Sequence, residues 1–325
     1  MSESGRWERY FSVASRCPVS MPAETVVISG AGLNVARLIG MVIEAQKQGL
    51  ISIKPDYKPK NIFATSAGCY IALALALDID LYELCELLLQ AMSGRKFSRG
   101  LFLTSILRGL FTGYLLETKI REDIIDIIYK KAGIDPEHEL CFEDLPTHLN
   151  FNVVDFDTGK MYNLGYWTTP KCPIRQAILA STAIPALFPA QKMILKDNTH
   201  RFVDGGLCSY ITLSCLDSDT PYALIKDPLY NGADIPCSYD LAFCIYNSVG
   251  KLQKLDLLSV VTRMLHILQV NTIQWQLERL QSNVILCVCE ESLSYFEPMP
   301  KDKLREEILA GFQEVIRHLS LYRLI

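Results

Sequence analysis

Three observations predict an α/β fold, a three-layer α/β/α arrangement around a central, mostly parallel sheet. A short β-branched run, TVVIS, leads into a glycine loop and then into apolar residues at helical spacing. The same succession of strand, tight turn and helix recurs from residue 61, and two such units in sequence are the mark of a layered parallel sheet. Half of the 325 residues are apolar and 21% are charged, enough apolar material to bury both faces of such a sheet.

Taken in order, residues 1–24 are mixed in character, carry Pro18 and Pro22, and read as an N-terminal arm. The first strand begins at Thr25 and ends in Gly30-Ala31-Gly32. Val35, Leu38, Ile39, Val42 and Ile43 then fall on one helical face, with Gly49 as the stop. A polar KPDYKPKN loop precedes Ile62 and Phe63 as the second strand, the turn Ala64-Thr65-Ser66-Ala67-Gly68, and an Ala/Leu-rich helix to about Leu77. Helical periodicity returns over 81–92, 116–131, 255–280 and 302–319, and strand-like runs over 151–155, 241–246 and 284–288. With no repeat and no low-complexity linker, the expected organisation is an arm (1–24), a core (25–216), and a C-terminal region (217–325) that completes or covers the same domain.

The 32 basic and 36 acidic residues are mixed along the chain and sum to −4, which argues against a nucleic-acid partner. Eleven cysteines, an odd number with no CxxC pair, supply neither a disulfide framework nor zinc spacing and read as small buried hydrophobes in a reducing compartment. MSESGRWERYF lacks the apolar stretch of a signal peptide, so a cytoplasmic location is expected. Residues 61–77 are too short and too polar to span a bilayer. Residues 93–113 interleave Arg95, Lys96, Arg99 and Arg108 with Phe97, Leu101, Phe102, Leu107 and Phe111. They read equally as a peripheral membrane contact or as a core-packed helix pair with solvated cations.

Three segments carry chemistry. The loop Gly30-Ala31-Gly32 stands between a strand and a helix start, where unpaired backbone N–H groups can hold an anion or an oxyanion; a plain tight turn reads equally well. Ser66 stands between strand and helix with small residues two before it, Ala64, and two after it, Gly68, as a nucleophile elbow requires; the alternative is a helix cap. Asp204 precedes Gly205 and Gly206, as a tight turn beside another loop would have it, or an ordinary Asp-Gly turn.

Together these segments resemble the patatin-like phospholipase family. SGAGLNVARLIGMV is similar to that family's glycine-rich oxyanion segment, with Gly40 matching a glycine in the helix that follows. FATSAG resembles its GxSxG elbow, QAILASTAIPALFPA its AxxASxAxPxxFPP stretch, and VDGG its Asp-Gly-Gly motif. The resemblance implies a lipid acyl-ester hydrolase of phospholipase A type. Ser66 would be the nucleophile, Asp204 the general base, and the amides of Gly30, Ala31 and Gly32 the oxyanion hole. Ala64, Gly68, Gly205 and Gly206 would support the turns. The substrate would be a phospholipid or another acyl-ester lipid, with no cofactor, no metal and no indicated protein activator. Ala31, Asn34 and Val35 depart from the family's usual Gly, basic residue and Gly, which motivates the alternative of a weak or inactive lipid-binding relative. Arg37, one turn on, either supplies a cation near the loop or is solvated. A second alternative is a Ser-Asp-His esterase using His266, which follows Asp204 but sits in a helical run.

Overall fold

The computed structural model of the chain describes residues 22–54, 57–86, 118–209, 211, 240–247, 263, 267, 273, 284–289 and 300–323. The segment 93–113, His266 and most of 255–280 lie outside the described residues.

The elements follow one another as β1 (Thr25–Ile28), α1 (Val35–Lys47), β2 (Asn61–Thr65), α2 (Gly68–Ala76), α3 (Lys119–Lys131), β3 (His148–Asp155), β4 (Met161–Gly165), α4 (Ile174–Ser181), β5 (Gln191–Leu195), β6 (Asn198–Asp204), β7 (Leu241–Asn247), β8 (Val284–Cys289) and α5 (Lys301–Arg323). Five strands run parallel in the order β3-β2-β1-β7-β8; β4 and β6 pair antiparallel with opposite edges of β3, and β5 pairs antiparallel with β6. Helices cover both sides of the sheet. This is the expected α/β class, and its physical cause is visible strand by strand. All four residues of β1 are buried, as a strand sandwiched between helix layers must be, whereas β5 at the margin buries only Met193.

The first helix ends as its sequence suggests. Gly49 adopts φ +77, and the amide of Leu50 returns to the carbonyl of Ala45. Beyond that, α1 and α5 cross with their backbones in contact. A Cβ on Gly40 would lie 2.2 Å from the carbonyl oxygen of Ile308, and one on Gly311 would lie 2.1 Å from that of Arg37. Arg37 does not serve the glycine loop: its Nε donates to Glu307 Oε2 of α5 at 2.6 Å.

The register around β3 sets up the site. β4 occupies one edge of β3 continuously from Asn150 to Val154, so β2 and β6 must share the other edge. β2 runs parallel and ends with Thr65 opposite Asn152; β6 runs antiparallel and ends with Asp204 opposite Val153. The C-terminal ends of the two strands therefore meet head to head at neighbouring positions of β3. The residues that leave these ends, Ser66 and Asp204, have to face each other.

Sequence periodicity marks neither β4 nor β5. Both belong to hairpins at the margin of the sheet, and the β5–β6 turn uses Lys196 and Asp197 at φ 47 and 65 rather than an Asn-Gly signal. All eight cysteines among the described residues are free, six of them buried. Among the described residues no helix is long and apolar enough to cross a membrane.

Candidate active site

The turn from β2 to α2 places Ser66 at φ 52, a left-handed conformation that a non-glycine residue adopts only when its surroundings enforce it. Gly68 shows what enforces it: the start of α2 presses on the end of β1, and a Cβ there would lie 2.4 Å from the carbonyl oxygen of Ser29. The serine does not cap α2, whose N-terminus has no side-chain cap. Its hydroxyl instead donates to Asp204 Oδ2 at 2.6 Å. Both residues are buried, at 5% and 3% exposure, so the bond is shielded from competing water.

Asp204 is held from its other side. Oδ1 accepts from the amide of Gly206 at 2.7 Å across the short 3-10 turn that follows β6. Gly205 lies so close to β3 that a Cβ would meet the Asn152 carbonyl oxygen at 2.3 Å. Burial pushes the carboxyl from the ordinary aspartate range up to about 6; the bonds from Ser66 and Gly206 and the charge of Arg121 pull the other way. A carboxylate with such a value is a better base than one in water, yet it is still mostly ionised at neutral pH.

Ser181, at the end of α4, closes the gap between the two strand ends. Its hydroxyl donates to the Asn152 carbonyl at 2.7 Å and accepts from the Ser66 amide at 3.0 Å and from the Cys69 thiol at 3.4 Å. This serine lies inside QAILASTAIPALFPA, yet the sequence pattern assigns it no part, because both of its backbone partners are silent in a reading of side chains.

The parallel register of β1 with β2 carries Gly30-Ala31-Gly32 alongside the Ser66 turn. Among the described residues, no hydrogen bond engages the amides of these three residues. The positive φ of the loop falls on Gly32, at 53, whereas Ala31 has φ −144, so the alanine substitution carries no backbone strain. Asn34 and Val35 are buried, the latter at the start of α1. Among the described residues no imidazole bonds to Ser66 or Asp204: His200 pairs with Asp155 and His148 with Asn61. Nor does any cluster of three His, Cys, Asp or Glu side chains among them suit a metal ion.

A serine at positive φ on a strand-to-helix turn, bonded to a buried aspartate, is an arrangement in which a carboxylate can take the proton of an attacking hydroxyl. The sequence profile described as "Patatin-like phospholipase" matches residues 26–214, more than half of the chain, and the chain belongs to that family, one of lipid acyl hydrolases. No curated protein sequence matches the chain. Among solved structures it is similar to VipD from Legionella pneumophila, with 14% identity over 93% of this chain and 67% of that one and a TM-score of 0.48. It is also similar to the type III effector protein ExoU, with 18% identity over 94% of this chain and 54% of that one and a TM-score of 0.42. For ExoU of Pseudomonas aeruginosa in complex with SpcU the identity is 14%, over 93% of this chain and 53% of that one, with a TM-score of 0.43. The chain thus spans about two thirds of VipD and about half of ExoU.

Proposed function

We propose that the protein hydrolyses acyl esters of lipids, with a phospholipase A type of cleavage, through a Ser66–Asp204 dyad. The observation that carries this reading is the 2.6 Å bond from the Ser66 hydroxyl to a buried carboxylate at a strained strand-to-helix turn. Asp204 takes the serine proton as Oγ attacks the ester carbonyl, and the new Oγ–C bond leaves a tetrahedral oxyanion facing the amides of Gly30, Ala31 and Gly32. Collapse expels the alcohol, which recovers the proton from Asp204. Water, deprotonated by the same carboxylate, then attacks the acyl-serine and regenerates both groups. A carboxylate is a weak base beside an imidazole, and an alkoxide leaves more readily than an amine, so esters suit this pair better than peptides. The reading needs no metal or cofactor, and it treats residues 25–325 as one domain, since β7 and β8 continue the sheet that bears the site.

The test is labelling by a fluorophosphonate probe together with fatty-acid release from phospholipid vesicles. The parent protein is expected to do both, and Ser66→Ala and Asp204→Ala neither; undiminished acyl release in folded Ser66→Ala would overturn the reading. Because the base works ionised, kcat/KM is expected to rise about tenfold per pH unit below pH ~6 and to level off above it. A pH-rate profile flat from 5 to 8 would remove Asp204 as the base.

A further inference from the structure

Arg121 lies in the first turn of α3, on the face of KIREDIIDIIYKK that also buries Ile124, Ile125 and Ile128, and although it is charged it is only 3% exposed. Its Nη1 donates to the carbonyl of Leu179 and, at 3.3 Å, to Thr182 Oγ1, gripping the last turn of α4 on both sides of Ser181. The guanidinium carbon lies over the ring of Phe188, 4.5 Å from its centroid. Among the described residues Nε and Nη2 have no hydrogen-bond partner, and no carboxylate lies at ion-pair distance. A buried arginine without an ion-pair partner is costly, because the charge is desolvated without full compensation, and such a group calls for a reason.

The reason lies next door: Thr182, which the guanidinium holds, is followed by Ala183, whose carbonyl accepts from the Asp204 amide at 3.0 Å. Among the described residues, the groups that act on Asp204, or are acted on by it, are the amide of Gly206, Cys69 and Tyr70 of α2, the bonded hydroxyl of Ser66, and Arg121 of α3. Burial raises the Cys69 thiol and takes the Tyr70 phenol up to about 12, so both are neutral. Burial lowers Arg121 from its ordinary value, but a guanidinium keeps its proton at any working pH. Among the described residues it is thus the charged group that favours the ionised Asp204.

We propose that Arg121 is a positioning residue for the Ser66–Asp204 pair: it fixes the end of α4 from which Ser181 reaches the Ser66 amide, and it lends its charge to the Asp204 carboxylate. The inference rests on the dyad reading for its catalytic meaning. Its electrostatic half can nonetheless be read without turnover, from the carboxyl ¹³C shift of Asp204 in aspartate-labelled protein, assigned by its loss in Asp204→Asn. Arg121→Gln keeps a hydrogen-bonding group and removes the charge; Arg121→Lys keeps the charge and loses the planar fork. In Arg121→Gln the Asp204 titration is expected to move upward by about half a pH unit or more, and in Arg121→Lys to stay close to that of the parent. Acyl release at pH 8 is expected to fall at least about fivefold in Arg121→Lys, because an ammonium cannot span Leu179 and Thr182 as the guanidinium does. An unmoved titration in Arg121→Gln, a Lys variant shifted as far as the Gln variant, or a Lys variant with full turnover would each overturn the proposal. Should the Gln variant not fold, the Lys variant still decides. An inactive parent whose Asp204 titration depends on Arg121 would sink the hydrolase reading and leave the charge coupling standing.

Discussion

Among the places in the described residues where backbone meets backbone at distances only glycine permits, two differ in what occupies the contact. Where α1 crosses α5, Gly40 and Gly311 admit the facing helix to about 2 Å from their missing Cβ positions. The surroundings are apolar side chains with one partly buried Arg37–Glu307 pair. Where β2 and β6 meet on β3, Gly68 and Gly205 admit backbone just as closely, but the groups gathered there are polar: Ser66, Asp204, Ser181 and Asn152, all buried. The helix crossing turns close approach into dispersion contact. The strand junction uses the same geometry to hold polar groups away from water, with a desolvation that Asp204 displays. Substitutions should therefore separate the two regions by whether they damage activity or stability.

The largest effect is expected from Asp204→Asn, which keeps the shape of the side chain and removes the base. Acyl release should fall by about three orders of magnitude or more, while stability should rise. The sign follows from the raised value. With its pKa near 4 when unfolded and about 6 when folded, Asp204 binds its proton more tightly in the native state. Its contribution to stability is therefore fully present below pH ~4 and drains away as pH rises through 6. At pH 8 the buried carboxylate costs the fold on the order of 2–3 kcal/mol, and the asparagine variant should recover about 1–3 kcal/mol of that in urea unfolding. At pH 4 the gain should vanish. A variant destabilised at pH 8 would mean that the Ser66 and Gly206 bonds outweigh the burial.

Gly68→Ala ranks next. Its Cβ meets the Ser29 carbonyl oxygen, and the nearest relief is a shift of the turn that carries Ser66. Activity per folded molecule should drop by about a hundredfold, through displacement of the nucleophile from Asp204 and the loop amides. Gly311→Ala makes an equally severe clash at the helix crossing. It should cost about 1–3 kcal/mol of stability but leave acyl release per folded molecule at the parent level. If Gly311→Ala lowered turnover as far as Gly68→Ala, the two regions would not be separable and the crossing would have to be counted as part of the site.

The sequence makes one region far more legible than the other. The Ser66 turn can be read because the chemistry of a strand-to-helix elbow demands small residues at adjacent positions, here Ala64 and Gly68. The parallel run of strands can be read because burial on both faces leaves continuous apolar stretches such as TVVI and VILCVC. Gly40 matches a family glycine, but its reason, the backbone of α5, lies in a segment far along the chain that no local pattern links to it. Arg121 is hidden for a related reason. Helical spacing sets it on the same face as Ile124, Ile125 and Ile128, but a charged side chain reads as a surface residue, and only the packing of α4 and Phe188 over it shows why it is buried. Strands β4 and β5 leave no signal, and β6 shows only the end that bears Asp204, because marginal hairpins with polar residues lack the apolar run that marks a central strand.

The smallest expected effect tests whether close approach, rather than backbone angle, is what makes these glycines matter. Gly49 closes α1 at φ +77, and a Cβ added there would have nothing within 4 Å, so Gly49→Ala meets only the left-handed penalty. That penalty should be about 1 kcal/mol, read as a lower midpoint in urea with an unchanged slope, and turnover should not respond. Gly311→Ala carries no such angle, since its residue is helical, and meets a collision instead. A loss at Gly49 as large as the loss at Gly311 would show that backbone angle alone can match a backbone collision, and the distinction between the strand junction and the helix crossing would then need a cause other than proximity.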